Sequence, residues 1–370
     1  MNRLKPTYLI LVLLSANLGL TPTSAFAATP NFKAKKLASF TSEQISTAVS
    51  TLGVEIPDEQ FKYSVSLYSL NYETTDGYGK KVIASGLVAI PAKGIGVPSP
   101  LLSFQHGTIF QDKEAPSKDL VAGAPPTILA SLGYVTVASD YVGYGASKGK
   151  PHPYLLKTPS ANAVTDLLKS ASKWLKRNNI SLNKQLFLTG YSEGGYVTMA
   201  AHQAIQAQPI NGLNLTVSIP AAGPYNISRT LKNLTSLSSA RLQAAEEQRL
   251  SPILVDWLTA KIMDNLIPND SDVVFQDTII RDFLRKGSSG ITQYNVHDWQ
   301  AKSPIVLFHG RKDATVPYFN ATDAVKAMIT KGSANVTLVD CTATPANHEN
   351  CIAEYGKVLI QTLGNYAQDL

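Results

Sequence analysis

Short apolar runs alternate with longer amphipathic stretches along most of this chain. Residues 61–72 and 81–91 alternate apolar and polar positions on either side of Thr75-Asp76-Gly77, which predicts a β-hairpin. Helix-like stretches separate the later apolar runs, so the pattern predicts an α/β fold with a mostly parallel central sheet and helices on both faces. Six of these runs are short and mostly apolar, as is typical of buried strands: 101–105, 134–138, 185–189, 215–219, 305–308 and 336–339.

The sequence Gly190-Tyr191-Ser192-Glu193-Gly194 directly follows one of these strands, and an alanine-rich stretch at 193–208 that favours a helix comes next. Glycines two positions before and two after a serine, between a strand and a helix, are typical of a nucleophile elbow. Its turn is too tight for side chains at the glycine positions. Ser192 is therefore the candidate nucleophile, and an ordinary Gly-Ser turn is the alternative.

A serine hydroxyl needs a histidine to take its proton and a carboxylate to orient that histidine. Three histidines follow Ser192 at a useful distance: His297, His309 and His348. His348 lies in a polar loop after the strand at 336–339, and catalytic groups collect in such loops in open α/β sheets. We predict that His348 is the base, that His309 shapes a turn, and that His297 lies in a cap or linker.

Asp313 is the predicted acid because it follows the strand at 305–308 and keeps the chain order serine, acid, histidine. Asp340, at the end of the last predicted strand, is the alternative. For Asp340 we favour a structural role at the strand end.

An acyl-transfer site also needs two hydrogen-bond donors for the oxyanion that develops on the carbonyl oxygen. The backbone N–H of Glu193, directly after the nucleophile, is predicted to be one of them. The strand at 101–105 ends in His106-Gly107-Thr108, and the N–H of Thr108 is predicted to be the other. A simple strand-ending glycine turn is the alternative for this loop, in which His106 is expected to be structural.

These segments, in this order, resemble the α/β-hydrolase superfamily. The stretch 139–147 also resembles the Asp-Tyr-x-Gly-x-Gly stretch of secreted lipases and prolyl-oligopeptidase-like hydrolases. Within the superfamily the chain is most similar to secreted esterases and lipases of the secretory-lipase type, although Glu193 stands where many lipases have a neutral residue. The resemblance implies a serine hydrolase that cleaves carboxylic esters through an acyl-enzyme.

Residues 1–27 have a basic start, an apolar stretch and Ala25-Phe26-Ala27, which is typical of a secretory signal peptide and predicts a secreted or periplasmic protein. Residues 28–370 are then one hydrolase domain, with a polar leader at 31–60 that contains one helix. The interval between the strands at 215–219 and 305–308 is far longer than a crossover needs. Residues 223–300 are therefore predicted to form a helical cap over the active site.

The 33 basic and 27 acidic residues give a net charge of +6, spread without an aromatic-interleaved basic patch. This distribution argues against a nucleic-acid partner. A small-molecule or lipid ester substrate is what the hydrolase resemblance implies. We expect no membrane span, because no long apolar run follows the predicted signal peptide. Contact with a lipid interface is left open. No metal-ligand or cofactor motif occurs, so we expect no cofactor and no metal.

The chain has two cysteines, Cys341 and Cys351. In an exported protein they are expected to form one disulfide, and two free buried thiols are the alternative.

The sequence has three alternative interpretations. A nucleotide-binding oxidoreductase is disfavoured, because Lys148 replaces the third glycine of the Gly-rich stretch 143–149 and Pro151 and Pro153 block the helix that should follow. A secreted serine peptidase of the same fold would share the site chemistry. A non-catalytic binding protein on a hydrolase fold is the third alternative.

Overall fold

The protein is described by a computed structural model that covers residues 34–51, 56–57, 60–234 and 238–370. The predicted signal peptide at 1–27 lies outside the described residues. None of the helices in the described ranges is long and apolar enough to cross a membrane.

One sheet organises the described part of the chain, and its strand order is β1-β2-β3-β5-β4-β6-β7-β8-β9. The first three strands are antiparallel to their neighbours, and β4 to β9 run parallel. This arrangement confirms the predicted α/β class with a mostly parallel sheet. The strands are β1 (Ala34–Phe40), β2 (Val65–Thr75), β3 (Lys81–Pro91), β4 (Ser99–Gln105), β5 (Val135–Ser139), β6 (Leu182–Tyr191), β7 (Asn214–Ala221), β8 (Ile305–His309) and β9 (Val336–Asp340).

Helices pack on both faces of this sheet because successive strand side chains point in opposite directions. In β6, Leu186 and Leu188 belong to one buried cluster, while Phe187 between them belongs to the other. The first cluster includes α3, α4 and α7 to α9, and the second includes α1, α2 and α10. The helices are α1 (Ser42–Thr51), α2 (Pro125–Ser131), α3 (Lys157–Arg177), α4 (Glu193–Ala207), α5 (Ile227–Leu234), α6 (Ser239–Glu246), α7 (Pro252–Leu266), α8 (Thr278–Lys286), α9 (Phe319–Thr330) and α10 (Cys351–Tyr366).

The polar leader contributes more than the single helix predicted from the sequence, because it also supplies β1. This strand pairs antiparallel with β2, with a register shift between Lys36 and Ala38. Lys35 and Lys36 interrupt the apolar pattern of this segment, so the pattern did not indicate a strand. Exposed lysines are common on edge strands, where they discourage pairing with another chain.

The described part of the interval between β7 and β8 contains four α-helices, α5 to α8. Buried side chains of α7 and α8, including Val255, Leu258 and Phe283, join the same apolar cluster as α3 and α4. The insertion therefore packs on the face of the sheet that α3 and α4 also cover.

Candidate active site

Ser192 lies in the turn between β6 and α4 with φ 59° and ψ −123°, a backbone conformation that residues other than glycine rarely adopt. The turn is crowded by backbone. A Cβ atom at Gly190 would lie 2.5 Å from the carbonyl oxygen of Gly194, and one at Gly194 would lie 2.1 Å from that of Gln105. The two glycines are therefore required for the chain to turn here, and the turn presents Ser192 at the carboxyl end of β6.

Three side chains form one hydrogen-bonded chain at this edge of the sheet. The Nε2 atom of His348 lies 2.9 Å from Oγ of Ser192, and its Nδ1 atom lies 2.6 Å from Oδ2 of Asp313. Asp313 follows β8 and His348 follows β9, so each side chain comes from the end of a different strand. When the N–H group at Nδ1 donates a hydrogen bond to Asp313, Nε2 is unprotonated and can accept a hydrogen bond from the serine hydroxyl.

Asp313 is held as a carboxylate by the donors around it. The backbone N–H of Val316 donates to its Oδ1 over 2.7 Å, and Nε2 of His309 lies 3.3 Å from its Oδ2. Burial alone would raise the pKa of Asp313, but hydrogen bonds from His309, His348 and Val316, together with the charge of His348, lower it to about 2. The group therefore stays ionised at any pH where the protein would work.

His309 and Asp340 occupy the structural positions expected of them. His309 donates from Nε2 to the carbonyl oxygen of Val316 over 2.8 Å, which closes the turn that carries Asp313. Asp340 accepts from Nε of Arg311 over 2.9 Å and from the hydroxyl of Tyr318. The carboxylate of Asp340 is thus bound to other partners, and Asp313 is the one within hydrogen-bond distance of His348.

The loop that carries His348 is fixed at both ends. Cys341 and Cys351 are joined by a disulfide. Within the loop, the hydroxyl of Tyr191 donates to the carbonyl oxygen of His348 over 2.6 Å. Glu354 accepts from the backbone N–H of Thr342 over 2.9 Å, which ties the start of the loop to α10.

The loop after β4 lies directly beside the nucleophile. A Cβ atom at Gly107 would lie 3.7 Å from Cβ of Ser192 and 3.3 Å from the carbonyl oxygen of Tyr191. Thr108 follows Gly107 directly in this loop, and Glu193 begins α4, where an N–H has no partner within the helix. That these two N–H groups bind the oxyanion stays a prediction.

Two of the remaining histidines, His106 and the half-buried His297, contact backbone carbonyls. His106 stacks on Tyr141, and its Nδ1 lies 2.7 Å from the carbonyl oxygen of Gly107. Nδ1 of His297, within the insertion, lies 3.2 Å from the carbonyl oxygen of Tyr225. Burial lowers the pKa of both histidines, which disfavours their charged forms.

Sequence reasoning assigned no role to Asp140, which anchors the 139–147 stretch beside the site. This carboxylate accepts hydrogen bonds from the hydroxyls of Ser85 and Ser117, each over 2.6 Å. Complete burial raises its pKa in spite of those hydrogen bonds. The Asp-Tyr-x-Gly-x-Gly resemblance was the signal that could have identified it.

His152 was also missed, and it contacts the residue that follows the nucleophile. Its Nε2 atom lies 2.9 Å from Oε1 of Glu193, and both side chains are buried. Nothing in the sequence around His152 indicates this contact, because 41 positions separate the two residues. Across the described ranges, no group of three or more His, Cys, Asp or Glu side chains is arranged to hold a metal ion.

Comparison with known proteins agrees with the α/β fold and with the geometry of the site. The sequence profile of the family described as Serine aminopeptidase, S33 (Hydrolase_4) matches residues 126–340, which is more than half of the chain. The chain belongs to this family. No curated protein sequence matches this S33-family chain.

Solved structures similar to this S33-family member are α/β hydrolases, which confirms the superfamily predicted from the motifs. The rice cell wall degrading esterase LipA from Xanthomonas oryzae is 25% identical with a TM-score of 0.70, over 90% of this chain and 98% of LipA. A hydrolase from Legionella pneumophila is 22% identical with a TM-score of 0.70, over 90% and 97% of the two chains. Candida antarctica lipase A is 18% identical with a TM-score of 0.55, over 85% and 76%. The last two show the shared fold alone.

Proposed function

We propose that this hydrolase cleaves carboxylic esters through an acyl-enzyme, as a serine carboxylesterase or lipase. The observation that carries the proposal is the hydrogen-bonded chain from Ser192 through His348 to Asp313 at a nucleophile elbow. The similarity to the esterase LipA over most of both chains favours esters as the substrate class.

In the first half of the reaction, the Oγ atom of Ser192 attacks the ester carbonyl carbon while Nε2 of His348 takes the hydroxyl proton. Asp313 keeps the proton of His348 on Nδ1 and stabilises the imidazolium that forms. The negative charge on the carbonyl oxygen is stabilised by the N–H groups of Glu193 and Thr108. His348 then gives its proton to the leaving alcohol as the ester C–O bond breaks.

In the second half, a water molecule attacks the acyl-enzyme with His348 again as the base. The same two N–H groups stabilise the second tetrahedral intermediate. The acid is released, and the proton returns from His348 to Ser192, which restores the starting state.

Substrate choice is assigned to residues 223–300, acting as a cap. Residues 272–276 of this insertion contact the loop after β4, because the N–H of Asp272 donates to the carbonyl oxygen of Phe110 over 3.1 Å. Phe275 also contacts Phe110, with 5.6 Å between the ring centroids. These contacts bring the insertion next to the loop that carries Thr108, so its apolar side chains can line an acyl pocket.

A serine peptidase is the second candidate, because the matching family profile is described as that of a serine aminopeptidase. The nucleophile, base and acid would act on an amide in the same way. The leaving amine is harder to expel than an alcohol and would need a pocket that recognises the peptide amino terminus.

Export through the signal peptide at 1–27 is also part of the proposal. The disulfide between Cys341 and Cys351 supports it, because such bonds persist in oxidising compartments. Sequencing the amino terminus of the protein recovered outside the cytoplasm would test it, and the expected first residue is Ala28.

The function is tested by assaying purified protein on p-nitrophenyl esters of increasing chain length and, in parallel, on aminoacyl p-nitroanilides. We expect ester hydrolysis and labelling of Ser192 by an organophosphonate, located by peptide mass spectrometry. Faster turnover of the anilides would favour the peptidase. Failure of both the labelling and the hydrolysis would favour a non-catalytic protein.

A further inference from the structure

A short segment at residues 152–154 contacts both residues whose N–H groups are the proposed oxyanion donors. His152 reaches Glu193, with 2.9 Å between Nε2 and Oε1. Two positions later, the hydroxyl of Tyr154 lies 3.0 Å from Oγ1 of Thr108. We propose that His152 and Tyr154 are positioning residues that hold the oxyanion hole in its productive geometry. This inference rests on the proposed function.

The contact between Glu193 and His152 is unusual because the carboxylate is almost completely buried. Glu193 is 1% exposed, and its Oε2 has no hydrogen-bond partner within the described ranges. A buried carboxylate is costly unless it is paired, so the orientation of this side chain depends on His152. Because Glu193 is the first residue of α4, a carboxylate held by His152 restrains the start of the helix, where the N–H of Glu193 lies.

His152 is itself held on three sides. Its Nδ1 donates to the carbonyl oxygen of Val142 over 2.8 Å, which ties it to the chain after β5. Its backbone N–H donates to Val274 over 2.7 Å, and its carbonyl oxygen accepts from the N–H of Gln276 over 2.9 Å. Because these contacts hold His152 in place, its side chain can restrict the position of the Glu193 carboxylate.

Tyr154 provides the corresponding support on the other side of the proposed hole. It is half-buried and packs against aromatic rings, with its centroid 5.6 Å from that of Phe275 and 6.0 Å from that of His152. Its hydroxyl meets the side chain of Thr108 in a loop without regular secondary structure. Because an oxyanion hole works only when its donors are preorganised, this hydrogen bond limits the rotation of the Thr108 peptide.

The segment also connects the oxyanion hole to the insertion. Val274, Phe275 and Gln276 all belong to residues 223–300, and they pair with the backbone or pack on the rings of His152 and Tyr154. The insertion is therefore part of the support for the donors, in addition to any contact that it makes with substrate.

The test compares Tyr154→Phe with Tyr72→Phe in the full-length protein. Each variant loses one tyrosine hydroxyl that contacts a hydroxyl side chain, Thr108 for Tyr154 and Ser139 for Tyr72. Removing a whole oxyanion donor costs about 10²- to 10³-fold in kcat, so loosening one should cost roughly 10-fold. We expect that loss for Tyr154→Phe, with KM nearly unchanged and binding of an arylboronic acid, which mimics the tetrahedral intermediate, weakened by a similar factor. Tyr72→Phe should retain wild-type values.

Further variants, at Thr108 and at Glu193, separate a positioning role from a general loss of structure. Thr108→Val removes the same hydrogen bond from the other side, so the Tyr154→Phe/Thr108→Val double variant should be no slower than either single variant. Glu193→Gln should lower kcat and boronic-acid affinity together, also by about 10-fold or more.

Wild-type kcat and boronic-acid affinity in Tyr154→Phe would overturn the positioning proposal and leave the ester-hydrolase proposal intact. Additive losses in the double variant would likewise overturn it, because they would show that the two hydroxyls act separately. Wild-type protein that neither hydrolyses esters nor reacts with the organophosphonate would overturn both proposals.

Discussion

The Nδ1 atom of His348 lies 2.6 Å from Oδ2 of Asp313, although 35 positions separate the two residues in the chain. Parallel strands β8 and β9 bring them together, because each residue follows the carboxyl end of one of these neighbouring strands. The pair gives the imidazole a defined orientation toward Ser192, and the predictions below begin from it.

Ser192→Ala should abolish ester hydrolysis without unfolding the protein. The hydroxyl is the proposed nucleophile, and losing such a group typically lowers kcat by about 10⁴- to 10⁶-fold. Steady-state kinetics of the variant, purified with fresh resin to avoid carry-over of wild type, check this prediction, and circular dichroism checks the fold. Retention of a large share of wild-type kcat would show that another residue is the nucleophile.

Asp313→Asn should lower kcat by roughly 10⁴-fold, because the amide favours the wrong tautomer of the histidine. Asp340→Asn is the matched control, since this carboxylate also follows a strand but is bound to Arg311 and Tyr318. It should retain most of its activity. The reverse order of the two kcat values would identify Asp340 as the acid.

Asp313 should also make stability depend on pH in the acid range. Its pKa is about 2 in the folded protein, below the value of about 3.9 expected in the unfolded chain. The ionised form therefore contributes roughly 2 to 3 kcal/mol to the free energy of unfolding above pH ~4, and this contribution is lost as the pH falls toward 2. Urea unfolding of wild type and Asp313→Asn at a series of pH values should show the difference between them shrink over that window.

Ser192→Ala is the control for this measurement, because it leaves the contact between Asp313 and His348 in place. Its difference from wild type should stay constant over the same pH range. A constant difference for Asp313→Asn as well would contradict the assignment of acid-range stability to this carboxylate.

Substitutions inside the insertion should change acyl-chain preference. Ile262→Ala and Met263→Ala shorten partly buried apolar side chains of α7, whereas Ile253→Ala changes a side chain that is 82% exposed on the same helix. We expect the first two to shift the ratio of kcat/KM for long and short p-nitrophenyl esters and the third to leave it unchanged. Equal ratios in all three variants would count against a cap that selects substrates.

Removing the disulfide should lower stability and kcat together. The bond between Cys341 and Cys351 closes a ring of sequence separation 10 that contains His348. Loop-closure entropy for such a ring corresponds to about 2.7 kcal/mol, and a base displaced by about 1 Å loses on the order of 10²-fold in rate. The Cys341→Ser/Cys351→Ser variant should show both effects in thermal unfolding and in kinetics. Wild-type kcat in that variant would separate the disulfide from the placement of the base.

The sequence by itself determined the features that depend on neighbouring residues. The elbow around Ser192 needs glycines at fixed offsets, because the backbone there leaves no room for a Cβ. The buried strands appear as apolar runs, because both faces of a covered sheet exclude water. These local requirements made the α/β class, the approximate strand positions and the candidate nucleophile predictable.

Tertiary structure alone decided which distant groups meet. Asp313 and Asp340 both follow strands, and only the folded chain shows that Asp313 reaches His348 while Asp340 reaches Arg311. The contact between His152 and Glu193 and the edge strand β1 left no pattern in the sequence. Their partners are set by the packing of segments far apart in the chain, and hydrophobic periodicity records which side of an element is buried but not which residue it is buried against.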